Sequence, residues 1–248
     1  MTNHLKLVPQ RDLVTLALLV TVLIALANPA LGADFNASDE TTLNAAITGV
    51  NSAGAGTHTI NITADINLSD STTALDNTAA TEIIINGNGF TVDGQGINGV
   101  RPFEIGVDTT VAINDLTISG GKVKVPPGDY GGGIRNLYGS LRLVNSTVSG
   151  NSAGANGGGI HNEGAVTLTH SIIAGQTSGV DCSGIGITSN GYNLDSDGSC
   201  GLSGTGDIAN GTADLQPLAV NAPGTTATHA LGPDSGALDV IPVVNGSC

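Results

Sequence analysis

The chain has 248 residues, of which 37 are glycine, three phenylalanine, three tyrosine and none tryptophan. That inventory excludes a core filled by aromatic volume and leaves small β-branched and aliphatic side chains to do the filling. The formal net charge is −14, from 7 basic and 21 acidic residues, a balance that would repel phosphate backbones and excludes nucleic acid as a partner.

Residues 1–32 read as a signal peptide. Lys6 and Arg11 precede an apolar run over 13–27, interrupted only by Thr15 and Thr21. Pro29 then breaks the run, and Ala30 and Gly32 supply small residues at the −3 and −1 positions of a cleavage site. The run is shorter than the roughly 20 residues of a comfortable bilayer span, so cleavage is expected, with no transmembrane segment in the mature chain. The expected location is extracellular or at the cell surface.

Residues 33–57 form an N-terminal region with one helical period. Leu43, Ala46, Ile47 and Val50 fall at i, i+3, i+4 and i+7, with Ser38 or Asp39 placed to cap the helix. A stack of strands leaves its first coil as a sticky edge, and a short amphipathic helix across that end is expected to cap it.

Residues 58–180 then alternate with period two in short runs bounded by Asn, Asp or Gly: Ile60 and Ile62, Ile66 and Leu68, Ile83 and Ile85, Phe90 and Val92. Within 131–176 one unit occurs twice. Gly131-Gly132-Gly133-Ile134 returns as Gly157-Gly158-Gly159-Ile160, and Asn136 returns as Asn162. After a one-residue deletion, Leu141, Leu143, Val148 and Gly150 return as Val166, Leu168, Ile173 and Gly175, and the segment 111–120 adds a degenerate copy. A repeat of this length cannot bury its own apolar face and must stack on its neighbours. The reading is an all-β, right-handed, single-stranded parallel β-helix of about six coils with the N-terminal helical cap. Residues 122–129, with Pro126 and Pro127, have no counterpart in the next unit and are expected to protrude as a loop.

Asp115, Asn145 and His170 occupy matching places in successive units and are assigned to a turn position, as is His161 beside Asn162. Residues 181–248 form a C-terminal tail in which Cys182 and Cys200 are expected to pair, given an exported chain and enough intervening residues to close a loop. Cys248 is then left over, as a free thiol or with a partner outside this sequence.

The coil text, Gly-Gly-Gly-Ile-x-Asn followed by Leu141-Arg142-Leu143-Val144-Asn145-Ser146-Thr147-Val148-Ser149-Gly150-Asn151, resembles bacterial right-handed parallel β-helix proteins, including those similar to polymorphic outer-membrane protein repeats. The tail text, from Asp181-Cys182-Ser183-Gly184 through 191–202 to Thr228-His229-Ala230-Leu231 and Ala237-Leu238-Asp239, is similar to the exported choice-of-anchor Q group. That resemblance implies fold and export, and a continuation with a further cysteine and a surface anchor. It implies no catalytic chemistry.

Parallel β-helices also host lyases and glycosidases, which need a base beside a carboxylate cluster, or two convergent carboxylates. The bases after residue 32 are Arg101, Lys122, Lys124, Arg135 and Arg142, none beside an Asp cluster, and no repeat position carries a column of Asp or Glu. The expectation is therefore a secreted or cell-surface structural or adhesive protein without catalytic activity, the alternative being a polysaccharide-active enzyme of the pectate-lyase or glycoside-hydrolase kind. No catalytic, cofactor-binding or metal residue is singled out. Asp195-Ser196-Asp197-Gly198-Ser199 has the opening of a calcium loop without its distal ligands and is read first as a turn, with calcium as the one metal in view. The sequence names neither the extracellular ligand nor the oligomeric state.

Overall fold

A computed structural model describes residues 32–123, 129–154, 156–221 and 227–240. Residues 1–31 of the expected signal peptide, residues 124–128 of the protruding loop expected at 122–129, and Cys248 lie outside the described residues. The described residues belong to one compact unit.

The chain winds as a parallel β-solenoid of about six turns. Each full turn contributes one strand to each of three sheets. The first sheet stacks Asp34–Ala37, Thr57–Ile62, Glu82–Asn86, Thr110–Asn114, Ser140–Val144, Ala165–Thr169 and Thr188–Ser189. The second stacks Ile66–Asn67, Thr91–Asp93, Thr117–Ser119, Thr147–Ser149, Ile172–Ala174, Leu194–Asp195 and Ile208–Ala209. Phe103–Ile105, Ile134–Asn136, Ile160–Asn162 and Cys182–Gly184 make the third. The ladders thus continue past residue 180 into the disulfide region, although the text of the repeat does not. The opening strand, Asp34–Ala37, pairs with 59–62 and is not marked by any run in the sequence long enough to predict it.

Register explains the repeat. Val111, Leu141 and Val166 stack in one column, as do Ile113, Leu143 and Leu168, and Ile118, Val148 and Ile173 in another. All point inward and are buried. Because side chains alternate faces along a strand, a slip of one residue would turn these columns to solvent. Phe103, Ile134, Ile160 and Cys182 form the third inward column.

The tripled glycine of the twin unit has a steric cause. Gly131 and Gly157 have φ of 69° and 67°, the left-handed region that glycine enters without penalty. A Cβ on Gly132 would lie 2.5 Å from the carbonyl oxygen of Gly158, and one on Gly158 2.3 Å from that of Ser178, so adjacent coils can approach only as glycine.

Asp115, Asn145 and His170 have φ of 52°, 50° and 50°. They sit at the corner between the first and second sheets, and the column continues to Asn88 and Tyr192 with φ of 54° and 56°. These are turn residues, chosen for tolerance of the left-handed conformation. His161 is not one of them: it lies in the middle of the strand Ile160–Asn162. Its neighbour Asn162 turns inward instead, into a ladder in which Asn136 Nδ2 donates to Asn162 Oδ1 at 2.8 Å.

The one helix among the described residues, Glu40–Ser52, starts directly after the expected cap Asp39. The Asp39 carboxylate accepts from the Thr42 N–H at 2.8 Å while the Asp39 N–H donates back to Thr42 Oγ1 at 3.1 Å, a reciprocal capping box. Leu43, Ala46, Ile47 and Val50 are its buried face, packed on Asp34–Ala37 and Thr57–Ile62. Its polar side holds the segment 69–77: Glu40 accepts from the N–H groups of Ser69 and Asp70, and Asn51 bonds to Ala74 and Asp76. No helix among the described residues is long and apolar enough to cross a membrane.

Cys182 and Cys200 are joined, as expected, with Cα atoms 4.8 Å apart. The bridge closes a loop across the last coils, and its reduction is expected to cost about 3 kcal/mol by the chain-entropy relation. Urea unfolding with and without reductant checks this.

Candidate functional site

The third sheet carries a network of paired charges. Between its inward columns runs one outward column, Glu104, Arg135, His161 and Ser183, in consecutive coils, with neighbours spaced by the strand separation of about 4.8 Å. Arg101 and Glu163 flank it. Arg101 Nη1 meets Glu104 Oε2 at 2.7 Å, Arg135 Nη1 approaches the same oxygen at 3.9 Å, and Arg135 Nη2 lies 3.4 Å from Glu163 Oε1. Arg101 Nε and Nη2 donate to the carbonyls of Gly131 and Tyr130, so each nitrogen of this guanidinium has a partner. Burial, against the pull of Glu104, lowers its pKa from the ordinary value. Arg135 Nε is buried and has no hydrogen-bond partner among the described residues.

His161 is wedged into the same ladder. Its Nε2 lies 3.3 Å from Glu163 Oε1 and its Nδ1 2.8 Å from Ser183 Oγ, and Tyr130 stacks on its ring at 4.5 Å and 20°. Desolvation by burial lowers its pKa, outweighing the opposing pull of Glu163. The ring is then neutral at pH 7, and since a carboxylate only accepts, Nε2–H donates to Glu163 and Nδ1 accepts from the Ser183 hydroxyl. Glu163 serves Arg135 at the same time, and Tyr130 covers one ring face, so the relay is a held network. With two guanidinium groups against two carboxylates and a neutral imidazole, it presents alternating charge without net charge.

In the sequence no Asp cluster stands beside Arg101 or Arg135. The register supplies Glu104 and Glu163. Their signal lies in Phe103-Glu104-Ile105, which aligns with Ile134-Arg135-Asn136, but the unmatched segment 122–129 between them hides that alignment in the text. Of the other bases, Arg142 pairs with Glu82 at 3.7 Å on the first sheet, Lys122 forms isolated bridges with Val100 and Ser152, and Lys124 lies outside the described residues.

A second cluster joins Asp181, Asp195 and Asp197, one oxygen of each lying within 4.8 Å of the others. This is the calcium-like segment with Asp181 added. Its oxygens are spent on the loop's own donors: Asp181 accepts from Ser196 N–H and Oγ–H, Asp197 from the Asp181 and Ser199 N–H groups, and Asp195 from Asp197, Gly198 and Cys200. That is turn chemistry holding the disulfide loop.

Burial raises the pKa of Asp181 and of Asp195. At Asp197 burial also pushes upward, but bonds from Ser199 and the Asp181 N–H outweigh it and the net shift is downward, as at Asp207, where bonds from Ser189 and Asn193 prevail. The raised pair binds protons more readily folded than unfolded, so stability should increase as pH falls from neutral through their titration. The lowered pair contributes stability that is present above the unfolded carboxyl value and lost as pH falls through the folded one. On mild acidification the raised aspartates favour the fold while His161, with its lowered pKa, opposes it, and below about pH 4 the contribution of the lowered pair is lost and the melting temperature drops. Thermal melts across that range check it, and Asp181→Asn should make mild acidification less favourable than in the wild type.

Comparison with family models, curated proteins and solved structures returned no match.

Proposed function

We propose that the protein is an exported, rigid structural scaffold of the choice-of-anchor Q kind, with coils of the polymorphic outer-membrane repeat type, that adheres to an extracellular partner through the third sheet. One observation carries the reading: both ends of the unmatched segment 122–129 are tied to the solenoid beside the charged ladder. At one end Lys122 bridges Val100 and Ser152, and just beyond the other Tyr130 stacks on His161. A rigid rod with a locally anchored insertion next to alternating charge suits recognition of a partially charged polymer. The disulfide is compatible with export, and the signal-like residues 1–32 support it. Fold alone assigns no activity, so the support comes from this face.

The test is binding of the disulfide-intact protein to an array of extracellular polysaccharides and matrix proteins. Arg135→Glu should abolish binding while leaving the fold, judged by circular dichroism, intact. The polysaccharide-active alternative makes the opposite forecast: release of reducing or unsaturated ends, lost on replacing Glu104 or Glu163.

A further inference from the structure

Beyond residue 209 the chain leaves the ladders and folds back as an antiparallel hairpin over the second sheet. Leu215 bridges Leu231, the Gln216 N–H donates to the Ala230 carbonyl at 2.8 Å, and Ala219 pairs with Thr228. Between the hairpin and the sheet lies a groove of about 780 Å³, floored by the ends of the second-sheet strands, including Ser119, Ser149 and Ala174, and walled by 210–215, Leu218 and His229.

In this groove Ser149 Oγ stands 3.1 Å from His229 Nε2, and His229 Nδ1 stands 2.7 Å from the Gln216 carbonyl oxygen. A carbonyl can only accept, so Nδ1 carries the proton. In the neutral ring Nε2 is then a lone-pair acceptor, and the Ser149 hydroxyl is the donor to it. The hairpin fixes this tautomer, because Gln216 and Ala230 are bonded partners and His229 adjoins Ala230. Nucleophile, base and a third group that orients the base are thus in hydrogen-bond sequence. Space is left beside the hydroxyl: a Cβ added at Gly150 or Gly175 would meet nothing within 4 Å, and Ala174 takes the serine's place in the next coil.

We propose that this groove is an ester-hydrolysing site, with Ser149 as nucleophile and His229 as general base, acting on a neutral short-chain carboxylic ester. The carboxylates of Asp93 and Asp214 line the groove and disfavour an anionic substrate, whereas Ala213, Leu215 and Leu218 offer an apolar wall to a short acyl group. As Ser149 Oγ bonds to the ester carbon, its proton passes to His229 Nε2 and the carbonyl electron pair moves onto oxygen. Ser119, in register one coil earlier, and Asn210 are donors in the same groove for that oxygen. Collapse breaks the bond to the alcohol, which leaves with the proton from Nε2. Water then attacks the acyl-serine, giving its proton to Nε2. The carboxylic acid departs and Ser149 recovers its proton. The Gln216 carbonyl is a positioning group.

This inference is independent of the adhesive reading and adds chemistry to a chain whose sequence showed none. Its test is reaction of the disulfide-intact protein with a fluorophosphonate, followed by peptide mass analysis, together with hydrolysis of p-nitrophenyl acetate and butyrate. The expected result is an adduct on Ser149, with turnover lost in Ser149→Ala and reduced about 10²–10⁴-fold in His229→Gln. Ser149→Ala should fold, since alanine already occupies this register at 174, and it should bind extracellular polymers like the wild type. An unlabelled Ser149 in protein melting at its normal temperature overturns the proposal, as does turnover that survives Ser149→Ala. A drop in melting temperature of Ser149→Ala without any labelling of the wild type also overturns it, by showing that the pair only pins the hairpin.

Discussion

Replacing Phe103 by alanine is expected to destabilise the solenoid by about 3–5 kcal/mol, the largest loss for any single truncation of its core. Phe103 heads the third inward column and is fully buried, the bulkiest of the side chains without exposure. It stacks directly on Ile134. The cost has two parts, the lost transfer energy of the ring and the void left behind. The void matters more here than in an ordinary domain, because backbone ladders on three sides hold the coil at fixed spacing and the chain has only three phenylalanines with which to fill volume. Urea unfolding of Phe103→Ala beside Ile134→Val should separate the effects: the latter removes one methyl and should cost about 0.5–1.5 kcal/mol. Similar losses from the two would mean that the core relaxes around the cavity.

Asn136→Ala should be nearly as damaging although no apolar area is lost. Asn136 is fully buried. Its Nδ2 donates to the carbonyls of Gly139 and Ala165 at 3.0 Å each and to Asn162 Oδ1 at 2.8 Å, while its Oδ1 accepts from the Gly139 N–H at 3.1 Å. Truncation strands several buried groups at once. Each unsatisfied group costs roughly 1–3 kcal/mol, so a total of about 3 kcal/mol or more is expected. Asn145→Ala is the control, for Asn145 is chosen for its turn conformation, and the strain of alanine at φ 50° is worth about 1–2 kcal/mol. Thermal melts of both variants decide: a loss at Asn145 equal to that at Asn136 would show that the inward asparagine ladder is no stronger than a turn.

The two asparagines show how far local text reaches. Both recur or align in the twin unit, and both were legible as special. The turn role of Asn145 followed from its place between two apolar runs, together with Asp115 and His170, because a left-handed turn is a local property of the chain. Asn136 and Asn162 have the same residue type but answer to a neighbour 26 positions away. His161 was misplaced for the same reason: a three-residue strand is too short to display alternation, so its strand position emerged only from pairing. The disulfide was readable because three cysteines allow only three pairings, whereas the union of Asp181 with Asp195 and Asp197 was not, since it depends on how the bridged loop closes.

From the sequence alone came the solenoid, its inward columns, the helical period at its start and the cysteine pair. Each of these follows from periodicity or from scarcity of alternatives, both carried by local residue order. The tertiary structure decided which polar groups of different coils meet. The parallel ladders set Glu104, Arg135, His161 and Ser183 side by side, and the returning hairpin carries His229 to Ser149 across 80 residues. Side chains in neighbouring coils meet by register, and coil length varies from turn to turn, so no fixed spacing in the text records which polar groups will touch.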